Sequence, residues 1–499
     1  MTQLSPAGQS TSHPRRWVIL AVLCLALLVV LLDNTVLNVA IPAITDSLGA
    51  TTAEIQWTIN AYSLVLAGLL LTTGSLADRF GRKRALLTGL VLFTGGSAVA
   101  ALAQTPLQLI LARGGMGIGA ALLMPSTLAV LMQIFDEKER PKAVAAWSAV
   151  ASLGFALGPV IGGTLLDHYW WGSVFVLNLP VGALAITAIA LLVPESKAPT
   201  SRRADLPGVL LSVVMSVGVV YGIISVPEHG WGSGQVLVPL VTGLVAAVGF
   251  VTWERRAAEP MLDLTLFRNP RFTGAVASNA LVAFAMGGSL FLFTQYLQFV
   301  LGYSPLEAGF RVMPLAISVL VVTPFSPKIS TRIGIPATVA CGLTVVGAGL
   351  LALSFVTSDS GYGPTLLGLV LVGAGVGVAM PTSANALMGA IPRERAGIAS
   401  GLTSTLQELG TSLGVAILGS VVAARFAAEL PSFLPDGVER SVGLALQATG
   451  GVPEVVRDVR DAFVSGISTS LLCGSVAAVA AGALAWVLLR REGADRVDG

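Results

Sequence analysis

Gly74-Ser75-Leu76-Ala77-Asp78-Arg79-Phe80-Gly81-Arg82-Lys83-Arg84 is a short, strongly basic stretch held between two long apolar runs, 55–76 and 85–103. A run of about 20 apolar residues is what a membrane-spanning helix needs, so the stretch reads as a loop emerging on one face of a bilayer. The rest of the chain agrees. Of 499 residues, 54% are hydrophobic and 11% charged, against roughly 25% charged in an average soluble domain. A water-soluble surface cannot be built from that composition. Length alone suggests roughly three globular domains of about 150 residues, but no break between apolar runs is long enough to hold one. The bilayer must be the solvent.

Working outward from the basic loop, candidate spans lie at 17–41, 55–76, 85–103, 107–132, 143–166, 173–193 and 207–225, then at 236–253, 272–296, 306–326, 336–356, 364–388, 397–421 and 464–489. The first follows Arg15 and Arg16 as a signal peptide would, but it is too long and has no small-residue cleavage site. Lys and Arg concentrate on the cytoplasmic side of membrane proteins. Counting alternate connections from an internal N-terminus puts Arg79 to Arg84, Lys138 to Lys142, Lys197 to Arg203, Arg255 to Arg271, Lys328, Arg332, Arg393, Arg395 and Arg490 to Arg496 on one side. The short connections on the other side contain no Lys or Arg. The exception is segment 422–463, long enough to be translocated regardless of charge. Omitting any one helix would invert every later loop, so an even count of fourteen follows, with both termini cytoplasmic. The tryptophans, from Trp17 to Trp486, fall at or near helix ends, where the amphipathic indole favours the membrane interface.

An internal repeat organises the count. Gly117, Gly119, Met124, Pro125 and Ser126 recur about 256 positions later as Gly373, Gly375, Met380, Pro381 and Thr382; Glu139-Arg140 matches Glu394-Arg395, and Arg79-Phe80-Gly81 matches Arg332-Ile333-Gly334. Parallel halves of this kind are typical of secondary transporters that alternate access around a midplane site. The expected plan is a cytoplasmic tail 1–16, a six-helix bundle 17–194, a linker 195–271 carrying two inserted helices, a second six-helix bundle 272–489 containing the long outer loop 422–463, and a cytoplasmic tail 490–499. Cys24, Cys341 and Cys473 all lie in apolar runs and read as small buried thiols. His13, His168 and His229 lie at helix ends or in loops. Neither a metal site nor a histidine relay is encoded, and a net charge of +2 gives no reason to expect a nucleic-acid partner.

The loop at 74–84 closely resembles the signature of the major facilitator superfamily. That resemblance implies an all-α membrane protein of two six-helix bundles, here with two additional central helices. Gly74, Asp78, Arg79, Gly81 and Arg82 would form a conformational latch, with Asp78 accepting hydrogen bonds from a neighbouring helix N-terminus and pairing with arginine. A second copy has Thr331 in place of the aspartate. Leu32-Asp33-Asn34-Thr35-Val36-Leu37-Asn38 through Pro42 is similar to the signature of the fourteen-span drug:proton antiporter branch. An ionisable residue in the hydrocarbon costs at least about 2.5 kcal/mol, so Asp33 has either a proton-coupling role or a structural ion pair. Arg113, in a segment resembling the family's buried-arginine helix, fits both. From the rise per residue, Asp33 lies roughly 13 Å and Arg113 roughly 9 Å from the same membrane face. An always-charged guanidinium cannot carry the proton, but it can orient a carboxylate; a packing role is the alternative.

Gly154, Gly158 and Gly162, with Pro159 and Gly163, have the spacing that permits close helix approach. In full the segment resembles the antiporter motif of exporters, and the direction of transport rests on that resemblance. Trp171 to Gly182, with Asn178 and Pro180, looks like the helix-six signature of the same branch. Glu408 stands where relatives carry glutamine and is a second candidate carboxylate for protons or a cationic substrate, against a satisfied helix contact. Asn34, Asn38, Tyr62 and Arg311 are candidate cavity residues; Phe284, Phe291 and Tyr62 would more readily face lipid, and Arg311 could snorkel to the interface. The resemblance implies a monomeric, cofactor-free antiporter driven by the proton gradient, working in the bacterial inner membrane on lipophilic, cationic small molecules. A dedicated exporter of one endogenous antibiotic, metabolite or lipid is the alternative, and a proton-coupled importer a further one. No Gly-x-x-x-x-Gly-Lys-Ser/Thr motif supports an ATP-driven pump, and no set of His, Cys or acids supports a membrane enzyme.

Overall fold

A computed structural model describes residues 14–197, 205–391 and 396–490, with side chains from 396 to 400 excepted. The two chain ends, Arg202 and Arg203, and the repeat residues Glu394 and Arg395, with Arg393, lie outside the described residues. Among the described residues, fourteen helices are long and apolar enough to cross a membrane. They are α1 (Arg16–Leu48), α2 (Thr52–Phe80), α3 (Arg82–Ala101), α4 (Pro106–Ile134), α5 (Arg140–His168), α6 (Ser173–Leu192), α7 (Leu206–His229), α8 (Gly234–Glu254), α9 (Pro270–Val300), α10 (Pro305–Ile333), α11 (Ile335–Leu353), α12 (Tyr362–Gly389), α13 (Gly401–Glu429, continuing a helix that begins at Ala396) and α14 (Pro453–Arg490).

Local chemistry sets several boundaries. Thr51 opens α2 with a capping box: its hydroxyl accepts from the Glu54 amide at 3.2 Å, and Glu54 accepts from the Thr51 amide at 2.9 Å. Ser304 and Glu307 do the same for α10. Pro180 has no amide to offer Val176, and α6 is accordingly broken between Val176 and Asn178. Some ends differ from the sequence reading. α1 passes through Pro42 and stops at Gly49, and α13 and α14 extend to Glu429 and back to Pro453, so the long connection shrinks from 422–463 to 430–452 and contains a short helix, Val442–Ala448. The thiols need correcting too: Cys24 is buried, but Cys341 and Cys473 are exposed. An apolar run does not tell which face of its helix meets lipid.

The repeat has a physical meaning. Gly117 of α4 packs on the Tyr62 carbonyl of α2 and Gly119 on Gly89 and Phe93 of α3. Gly373 of α12 packs on Leu315 and Ser318 of α10, and Gly375 on Gly342 and Val346 of α11. Helix four of each bundle thus touches helices two and three through the same pair of glycines. The halves meet chiefly along α2 against α13 and α5 against α10. The inserted pair, α7 and α8, pack on each other, and α7 seats on the α2–α13 seam: Val213 faces Gly68, and Ser420 donates to the Ile223 carbonyl at 3.1 Å.

One end of the bundle carries the 74–84 loop and is called the basic end. There Arg82 Nε donates to Asp78 Oδ1 at 2.8 Å, Arg82 also reaches Gln133 of α4, and Glu195 after α6 accepts from the Lys83 amide and pairs with Arg84 at 3.7 Å. Asp78 therefore pairs with Arg82 one turn away instead of capping a neighbouring helix. Arg79 lies over the Phe80 ring, Gly74 faces Pro125, and Gly81 (φ 120°) turns the chain where a Cβ would meet the Glu195 carboxylate. Among the described residues, the hydrogen bonds and ion pairs of this loop reach α4, α6 and the segment just after α6, and none reaches the C-terminal bundle.

Candidate functional site

Asp33 and Arg113 face each other inside the N-terminal bundle. Asp33 Oδ2 and Arg113 Nη1 form an ion pair, with side-chain exposures of 2% and 0%. Three further groups orient it. Asn178 of α6 donates to Asp33 Oδ1 at 3.2 Å and to Ser97 Oγ of α3 at 2.9 Å, and Ser97 donates in turn to the Phe175 carbonyl at 3.0 Å, next to the break in α6. Arg113 Nε donates to the Thr58 carbonyl of α2 at 3.3 Å, and its guanidinium carbon sits 4.4 Å from the centre of the Tyr62 ring, a cation–π distance. Four helices besides α1 hold one carboxylate and its partner. Two donors next to it, Arg113 Nη2 and the Tyr62 hydroxyl, have no hydrogen-bond partner among the described residues.

Tyr62 is wholly buried beneath Arg113, so it faces neither lipid nor an open cavity. Phe291 is buried as well. Asn38 donates to the Asn34 carbonyl one turn away at 3.1 Å, and the two asparagines do not join the cluster through their side chains. Arg311 is held at the end opposite the basic one. Its guanidinium lies 3.7 Å from the centre of the Tyr303 ring and 5.8 Å from that of Tyr362, with Glu307 at 3.8 Å. That aromatic clamp, made by its own turn and neighbouring helix ends, accounts for Arg311 without a cavity.

Glu408 arrives from the other half. It is half-buried, faces Ser63 of α2 and lies within electrostatic range of Arg113 and Tyr62. This contact is one rung of a series between antiparallel α2 and α13. Gln56 donates to the Val415 carbonyl at 2.9 Å, Ser412 to Asn60 Oδ1 at 2.7 Å, and Thr405 to the Ala67 carbonyl at 3.4 Å. Positions 56, 60, 63 and 67 share one face of α2, and 415, 412, 408 and 405 one face of α13. Sequence reasoning singled out only Glu408 here; the signal it passed over is polar residues recurring every three to four positions in an apolar helix.

The glycines of α5 line two contacts. A side chain at Gly158 would run into Thr35 of α1, and at Gly162 into Val36; Gly163 meets the backbone of Pro305 and Leu306, and Gly309 of α10 meets the backbone of Pro159. Leu28 and Leu31 face Gly154. The motif therefore lets α5 lie close to α1, which carries Asp33, and to α10 of the other half. Among the described residues no group of three or more potential metal ligands assembles.

Two pseudo-equivalent six-helix bundles with a buried carboxylate–guanidinium pair in one of them describe a secondary transporter, and the chain belongs to the Major Facilitator Superfamily, whose model matches residues 23–415. It is similar, at 40% identity over 423 residues, to the Multidrug resistance protein Stp of Mycobacterium tuberculosis, covering 84% of this chain and 79% of that protein. It is 34% identical over 505 residues to the Multidrug efflux pump LfrA of Mycolicibacterium smegmatis, covering 98% and 100% of the two chains. Among solved structures, a bacterial homolog of the human lysosomal transporter Spinster, inward-facing and unoccupied, matches with a TM-score of 0.69 at 19% identity over 96% of this chain and 98% of that one. The chain is a multi-pass membrane transporter and not an enzyme.

Proposed function

We propose that this protein is a proton-coupled antiporter that exports lipophilic, cationic compounds from the bacterial cytoplasm across the inner membrane, with the basic end and both termini on the cytoplasmic side. The observation that carries the reading is the buried Asp33–Arg113 pair, standing beside a carboxylate, Glu408, that the other half contributes. A buried ion pair is held by its two charges, and loss of either leaves an uncompensated one. Protonation of Asp33 cancels its charge and frees Arg113, whose spare donor then requires a new partner. Because Glu408 faces Ser63 of α2 from α13, a change of charge at either acid is felt at or beside the boundary between the halves. A cationic substrate competes with protons for the same carboxylates, so one cannot occupy the site while the other does. The resistance and efflux functions in the names of the similar proteins support export over import.

The test is direct. Purified protein is reconstituted into vesicles, a pH gradient is imposed, and proton flux is followed while a panel of lipophilic cations and neutral compounds is added. Cations should drive proton flux in the parent, and in Asp33→Asn they should bind more weakly and drive no proton flux. If Asp33→Asn couples as well as the parent, Asp33 is not the coupling group; if sodium alone drives substrate movement, the proton reading fails.

A further inference from the structure

A second pair of carboxyls lies at the basic end, where α7 begins and α8 ends. Asp205 Oδ1 is engaged twice, accepting from the Gly208 amide at 3.0 Å and from the Trp253 indole at 2.7 Å. Glu254 Oε2 accepts from the Leu262 amide at 3.1 Å, which draws the segment leaving α8 back onto its own helix end. The other two oxygens, Asp205 Oδ2 and Glu254 Oε1, are buried and, among the described residues, receive a hydrogen from no donor. A Cβ on Gly208 would lie 2.5 Å from the first and 2.9 Å from the second, so the glycine leaves the room in which the two acids converge. Glu254 is 4% exposed, and both free oxygens border the one small space that a Gly208 side chain would enter. Ionised carboxylates are acceptors only. Two that converge in one buried space repel unless they share a proton.

We propose that Asp205 and Glu254 form a proton-binding site of their own, holding one H⁺ between Oδ2 and Oε1 and thereby anchoring the linker 255–269 to the α7–α8 pair. The proton is distinct from the one assigned to Asp33, and the site can hold whether or not that reading does. A cavity of about 580 Å³, lined by Asp205, Trp253, Arg256 and Glu259 among others, adjoins the pair and gives the proton a route to solvent. Among the described residues, the facing groups are the Gly208 amide from α7, the Trp253 indole from α8 and the Met261 and Leu262 amides from the linker, with Arg256 and Glu259 across the cavity. The contacts of α2 and α13 with α7, Gly68 on Val213 and Ser420 on Ile223, bring no charge to it. When the proton leaves, two adjacent negative charges repel, and Glu254 loses its hold on the linker. The consequence reaches the transport core, because Met261 accepts a hydrogen bond from Thr72 of α2 at 3.8 Å, beside the 74–84 loop.

Two readouts on the full-length protein in lipid nanodiscs test this. Infrared difference spectra between acid and alkaline pH should contain a protonated-carboxyl band that disappears in both Glu254→Gln and Asp205→Asn and persists in Asp33→Asn. In each of the first two variants an amide supplies the missing donor, so no proton is shared. Amide hydrogen exchange across 257–268 should speed up in the parent as pH rises, beyond the intrinsic pH effect, and lose that extra dependence in Glu254→Gln. A band unaltered in both Glu254→Gln and Asp205→Asn, or linker exchange with the same pH dependence in parent and Glu254→Gln, overturns the proposal.

Discussion

A guanidinium with no exposed surface needs every contact it has, and Arg113 draws on Asp33, the Thr58 carbonyl and the Tyr62 ring. Removing one partner of such a pair costs about 3–5 kcal/mol, whereas replacing both by apolar groups is often neutral. Asp33→Ala should therefore lower the thermal midpoint of the purified protein sharply, and the double variant Asp33→Ala/Arg113→Met should recover most of that loss while remaining inactive. Additive losses in the double variant would show that the two charges do not act as a unit. Both residues were legible in the sequence because an acid and an arginine are conspicuous in apolar runs. Their supports were not. Ser97 and Thr58 are ordinary helical hydroxyl residues, and what matters is where a broken helix or a neighbouring turn leaves a carbonyl. The repeat adds a further point: an offset of 256 carries Arg113 onto Leu369, which is buried among apolar neighbours, so only one half retains the charge.

Between elements, glycine decides how near two helices come. At Gly158 a Cβ would strike Thr35 of α1, two residues from Asp33, whereas at Gly95 of α3 it meets nothing within 4 Å. Gly158→Val should accordingly cost about 1–3 kcal/mol through overpacking and impair coupling by shifting α1. Gly95→Ala should be neutral or stabilising by up to about 1 kcal/mol, from helix propensity alone. Thermal midpoints of the two variants, read beside transport, check this; equal losses at both sites would mean that glycine acts here through helix flexibility and not through space. The motif was visible as a spacing, and its partners became visible only once α1 and α10 were placed on either side of it. The helix ends were less legible. Pro42 sits inside α1 because neighbouring helices tolerate the lost amide in a membrane bundle, and the ends of α13 and α14 run past their apolar stretches into polar sequence.

At the scale of the whole molecule the halves are joined unevenly. α2 and α13 are linked by polar rungs from Gln56 down to Ala67, whereas α5 and α10 close against each other toward the end opposite the basic loop, where Gly163 meets Leu306 and Gly309 meets Pro159. Asp167 completes that closure, accepting from Ser304 Oγ at 3.3 Å and from the Leu306 amide at 3.4 Å. At the basic end, among the described residues, the 74–84 loop makes no hydrogen bond or ion pair to the C-terminal bundle. The charge pattern and the repeat made the six-two-six plan readable from sequence, but which end is closed depends on the relative tilt of two rigid bundles, which no local pattern encodes. A transporter that rocks about a midplane site must part α5 from α10 in every cycle. The pair Asp167→Cys/Ser304→Cys, in a background with Cys24, Cys341 and Cys473 replaced by serine, should form a disulfide on mild oxidation, lose most of its transport, and regain it on reduction. Binding of substrate from the basic end should survive oxidation, because that entrance is not bridged. Undiminished transport with the bridge fully formed would mean that this end never opens and that substrate leaves by another route.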